Sequence, residues 1–140
     1  VLELITVWAA LESMAARLAT EVASDEDIAE LRTMFADVES EEAKAAIDEY
    51  SSKNIRFHQA ILKLGGCKLI QDMSDNLFIH MRSIRARTIS EGDRAKRSVI
   101  DHMHIIEALE QRDAELAERL VREHSMNLAR HIEQHVDYLD

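Results

Sequence analysis

The chain has no proline among its 140 residues and only three glycines, Gly65, Gly66 and Gly92. Proline and glycine supply the turns between strands and the breaks between helices. A chain nearly without them cannot fold as a meander of short strands. Long helices joined by short turns remain, and the apolar residues repeat at helical spacing.

Six such segments follow one another. The first spans Val1 to about Ala23, with Leu4, Trp8, Leu11, Ala15, Leu18 and Val22 on one stripe. Ser24 reads as the N-cap of the second, with Asp25, Glu26 and Asp27 at its positive end and Ile28, Leu31 and Phe35 on its apolar face. The third runs from about Glu42 to Leu64 and carries Ile47, Tyr50, Phe57, Ile61 and Leu62; Gly65 and Gly66 stop it. The fourth, from about Cys67 to Thr88, directs Leu69, Met73, Leu77 and Ile84 inward. After the break at "SEGD" (90–93), the fifth carries Val99, Ile106 and Leu109. Asp113 is the expected cap of the sixth, which passes through Leu116, Leu120 and Leu128 to Leu139. The expectation is an all-α fold, an antiparallel bundle of about six helices, forming one domain over residues 1–140.

The net charge of −10 comes from 27 acidic against 17 basic residues. Phosphate binding draws on Lys and Arg, so this balance argues against nucleic-acid binding by the chain alone. A single cysteine, Cys67, has no internal disulfide partner, which fits a reducing cytoplasm. No apolar run reaches the roughly 20 residues of a membrane span, and no signal-peptide pattern opens the chain. A soluble cytoplasmic protein is expected.

Polar residues interrupt the apolar stripes in three places. In the third helix, Ile47, Ser51, Asn54, His58 and Ile61 share a face; in the fifth, His102 lies with Val99, Ile106 and Leu109; in the sixth, His124 lies between Leu120 and Leu128. Positions four apart stand almost above one another on a helix. A single buried histidine usually bonds a neighbouring carbonyl or carboxylate. Three on three inward faces, with an amide one turn from the first, point instead to a shared partner. A divalent metal accepts imidazole nitrogens and an amide oxygen together. Of the remaining histidines, His80 falls on the fourth helix's apolar stripe and can line the same cavity. His104, with Asp101 and Glu107 nearby, reads as a boundary residue. His131 and His135 form an H-x-x-x-H pair expected to pack or lie at the surface.

With these residues in place, the chain resembles the FadR C-terminal (FCD) effector domain of GntR-type bacterial transcription regulators. The similarity runs from "LESMAARLA" through "FHQAILKLGG" to "DHMHIIEALEQRDAELAERLVREH". The family's metal site is built from Asp-x-x-x-His on one helix and one histidine from each of two later helices, which maps here onto Asn54, His58, His102 and His124. Two departures stand out. Asn54 replaces the usual aspartate, and Trp8, in "WAALE", stands where many relatives have an arginine. The latter suggests a less acidic or more hydrophobic ligand.

The resemblance implies a sensor of a small organic acid that binds through a zinc, nickel or manganese ion, with Trp8, His80 and Arg82 as further effector contacts. It also implies a homodimer that reaches operator DNA through an N-terminal winged helix-turn-helix, a segment that does not precede Val1 in this sequence. The two rival readings are a metal-dependent enzyme and a metal-free dimerisation module. Against the enzyme, no carboxylate stands clearly placed as a general base on the inward stripes, and no E-x-x-H pairs suggest a di-iron bundle.

Overall fold

A computed structural model describes residues 1–34, 43–89, 91 and 94–135, with the third helix's side chains described from Ser51 onward. Phe35, Ile47, Tyr50 and Leu139 therefore lie outside the described side chains. The helices are α1 (Leu2–Val22), α2 (Asp25–Thr33), α3 (Ala43–Leu64), α4 (Lys68–Thr88), α5 (Arg94–Glu110) and α6 (Ala114–Glu133). No strand occurs among the described residues. No helix among them is long and apolar enough to cross a membrane.

The caps explain where the helices begin and end. Ser24 accepts a hydrogen bond from the Asp27 amide at 3.1 Å, and Asp113 accepts one from the Leu116 amide at 3.2 Å, each satisfying an amide that the first turn leaves without a partner. Gly66, at φ 68°, provides the left-handed residue after α3. Gly65 is needed for another reason: a Cβ there would lie 2.8 Å from the Ala15 carbonyl oxygen, so α3 ends in direct contact with the α1 backbone.

The α5–α6 turn carries a left-handed residue that is not glycine. Arg112 has φ 59°, and its guanidinium donates to the carbonyls of Ala23 at 2.6 Å and Thr20 at 3.3 Å and to Asp25 at 2.6 Å. These bonds tie the turn to the end of α1 and offset the conformational cost.

α1 packs chiefly along α6, and the two are antiparallel: Arg17 pairs with Glu118 near one end, while Ile5 and Trp8 share a core with Ala129 and Ile132 near the other. Two apolar clusters result. One gathers Ala16, Ala19, Ile28, Leu31, Phe57, Ile61, Ile106, Leu109 and Val121. The other gathers Ile5, Trp8, Leu62, Met81, Leu128 and Ile132. On α6, His124 and Ser125 fall in sequence between Val121 of the first cluster and Leu128 of the second, and with the buried Glu12, Asn54, His58 and His102 they form a polar layer.

Parts of the expected stripes fall outside. Val22 and Val99 are exposed, and so are Leu69 and Met73 on α4, while Leu77 and Ile84 pack half-buried on the second cluster. The inward residues of α4 are Ser74, Met81, Arg85 and Thr88. Hydrophobicity alone misleads here because α4 turns polar groups toward the layer and leaves apolar ones outside.

Candidate metal centre

α3, α5 and α6 each contribute one histidine to the polar layer. His58, His102 and His124 are all buried, and each offers a ring nitrogen within 4.8 Å of the others. Their ring centroids are 5.2 Å (58–102), 5.4 Å (58–124) and 4.9 Å (102–124) apart. The Phe57 ring packs on His102 with centroids 4.3 Å apart and walls one side. Asn54, one turn before His58 on α3, is buried as well.

Two of the imidazoles are held from behind by carboxylates. His58 Nδ1 lies 2.6 Å from Glu12 Oε2, and His124 Nδ1 lies 2.8 Å from Asp101 Oδ2. A carboxylate on Nδ1 keeps the proton there and leaves the Nε2 lone pair pointing the other way. His102 Nε2 lies 3.4 Å from the Ser98 hydroxyl.

Electrostatics keep all three rings neutral. Burial pushes His58 and His102 well below the ordinary 6.5, and Arg85 and His124 add to the shift in both. His124 is also lowered by burial, partly offset by its bond to Asp101. Burial raises Glu12 to about 6, opposed by the positive charge of Arg85, so at neutral pH it remains a carboxylate. Burial would raise Asp101 too, but its bond with His124 overrides this and lowers it.

Among the described residues, the buried acceptors Asn54 Oδ1, His58 Nε2 and His124 Nε2 meet no hydrogen-bond partner. Each unmet buried acceptor carries a desolvation cost of order 1–3 kcal/mol. All three are lone-pair donors in the layer that also holds His102. Neutral imidazoles and an amide oxygen are the donor set of a divalent transition ion, so these residues fit one.

The other expected contacts fall elsewhere. His80 and Arg82 are exposed on α4. The buried arginine of that helix is Arg85, one turn on, whose Nη2 donates to Ser125 Oγ at 3.3 Å. Trp8 is buried, and its indole N–H donates to Glu12 Oε1 at 2.8 Å, so it braces the carboxylate behind His58. His104 is exposed; His131 pairs with Glu91 at 2.7 Å and stacks on His135.

The expectation that no carboxylate stands clearly placed on the inward stripes is corrected: Glu12 is fully buried. Its sequence signal was its place four residues after the inward Trp8. Both Glu12 and Asp101 are bonded to imidazole Nδ1 atoms, which makes them supports of the histidines. A cavity of about 40 Å³, lined by residues including Asp101, His104, Leu120 and Asn127, touches the cluster at His124.

No curated protein matches the chain. The family model described as the FCD domain matches residues 3–127, which takes in all four expected ligand positions. The chain belongs to the FCD domain family.

Proposed function

We propose that this chain is the effector-sensing domain of a GntR-type transcription regulator, and that His58, His102, His124 and Asn54 hold one divalent transition metal. Zinc, nickel or manganese suits a set of three imidazoles and an amide oxygen. The observation that carries this reading is the set of buried acceptors without partners: Asn54 Oδ1, His58 Nε2 and His124 Nε2. The metal leaves room in its coordination shell for the carboxylate of a small organic acid. Arg85 supplies the positive charge beside the site, in the place expected for Arg82 or His80.

The cavity at His124 lies on its Asp101 side, and neither Asn54, His58 nor His102 lines it. All four proposed ligands are buried, so an effector that reaches the ion binds an opened bundle more tightly than the closed one, and this difference in affinity is what shifts the conformational equilibrium. In the full regulator, operator DNA is gripped by a separate winged helix-turn-helix, and a homodimer of this domain sets the half-site spacing.

The metal-free reading is weaker. Glu12 and Asp101 satisfy Nδ1 of two histidines but leave both Nε2 atoms unmet. The enzyme reading is weaker for a related reason, since the buried Glu12 and the half-buried Asp101 are already committed to the imidazoles.

Metal analysis of the purified chain, before and after chelation, tests the proposal. The expected result is one divalent ion per chain, a lower melting temperature after chelation, and loss of most of the metal in each of His58→Ala, His102→Ala and His124→Ala. Metal content unchanged across the three variants overturns it.

A further inference from the structure

The outward face of α4 carries three large apolar residues among its polar ones. Leu69 is 67% exposed, Met73 47% and Ile79 75%. Scattered exposed apolar residues are ordinary, but these occupy one side of one helix. At helical spacing they share that side with Asp72, Asn76, His80 and Ser83. Their placement is symmetric. Met73 and Ile79 stand at equal distances on either side of Asn76, and so do Asp72 and His80.

The charges along α4 have a matching polarity. Its exposed acids, Asp72 and Asp75, lie in the first half, where Asp72 pairs with the exposed Lys68, and its exposed arginines, Arg82 and Arg87, lie in the second. α4 carries two acids against four basic residues in a chain of net charge −10. Two copies repel one another over most of an acidic surface, and this face avoids that repulsion.

We propose that this face of α4 is where two copies of the chain pair, with the helices antiparallel about a two-fold axis at Asn76. The inference rests on the homodimer reading above and adds the surface and the register. A two-fold interface brings the same patch together from both subunits. Here it sets Met73 against the partner's Ile79 and Asp72 opposite the partner's His80, with Arg82 within reach of the partner's Asp72. Asp72 already bonds Lys68 at 3.0 Å, which places its carboxylate on the solvent side. A parallel arrangement would instead set acid against acid and arginine against arginine. The pairing covers residues remote from the ligand histidines, so disrupting it leaves the metal site intact.

Light scattering across a concentration series, together with thiol cross-linking, tests this. The wild-type chain is expected to be a dimer. Met73→Glu combined with Ile79→Glu is expected to weaken association at least tenfold while helicity and metal content are unchanged. In a Cys67→Ser background, Asn76→Cys is expected to join two chains through a short thiol cross-linker, and Glu133→Cys, on α6, is not. A dimer that survives the double substitution at wild-type affinity overturns the assigned face. A dimer in which Asn76→Cys stays unlinked overturns the register. A wild-type monomer at every concentration overturns the homodimer reading and this inference together, without touching the metal proposal.

Discussion

His58 and Trp8 are joined through one carboxylate: Glu12 receives the indole N–H on Oε1 and meets the imidazole Nδ1 through Oε2. Trp8 thereby fixes the rotamer of the acid that orients a candidate ligand. Glu12→Gln keeps the volume but removes the charge. It can also present its amide N–H to Nδ1, which favours the wrong tautomer. Metal affinity is expected to fall about 10–100-fold, the usual cost of losing such a support, with the helical circular dichroism retained. Isothermal titration with zinc measures it; an affinity equal to wild type shows that Glu12 does not orient the ligand.

Asn54→Asp adds a negative charge to the proposed ligand set. Charge compensation for the ion already comes from Glu12 and Asp101 behind the imidazoles, so the gain in metal affinity is expected to be about tenfold, one unit of pKa-scale energy. A bound organic acid should weaken by a similar factor, because it shares the ion with a like charge. The change should be insensitive to salt, since Asn54 is buried. Parallel titrations of metal and citrate into both variants decide it. No change in either affinity means that Asn54 does not touch the ion.

Acid should destabilise the metal-free chain. His58, His102 and His124 are all held below their ordinary 6.5 when folded, so the unfolded chain takes up protons first as pH falls through 6.5, and stability is lost. Glu12 acts in the opposite sense: raised to about 6 when folded, it favours the folded state as pH drops toward 4.5. Asp101, lowered in the folded chain, sides with the histidines at still lower pH. With one group opposing three, urea midpoints of the metal-free chain are expected to fall between pH 7 and pH 5. A midpoint that rises over this range contradicts the assigned protonation states.

Gly65→Ala tests the contact between α3 and α1. The new Cβ would lie 2.8 Å from the Ala15 carbonyl oxygen and 2.9 Å from its Cα, both backbone atoms that cannot rotate away. Overpacking of this kind costs about 1–3 kcal/mol. The melting temperature should drop by several degrees, read by thermal circular dichroism; an unchanged value would show that the helices separate freely at this point.

Helical faces were legible where apolar residues recur on the buried side. His58, His102 and His124 were placed inward by their neighbours Ile61, Ile106 and Leu128, and the structure brings the three together. On α4, Leu77 and Ile84 pack half-buried as their spacing predicts, but Leu69 and Met73 lie outward because the fully buried positions include Ser74, Arg85 and Thr88. Periodicity cannot separate a helix that faces a polar layer from one shifted by a third of a turn. Glu12 was invisible for a different reason. Acidic side chains are almost never fully buried without a partner, and its partner His58 lies 46 residues away.

The burial of Asn54, His58, His102 and His124 has a consequence for timing. In the proposed sensor an effector meets these residues only after the helices part. The observed association rate should then level off at the opening rate as effector is added, where a preformed pocket would give a rate that climbs in proportion. A sensor built this way ignores bursts of metabolite shorter than its own opening time and answers only to levels that persist.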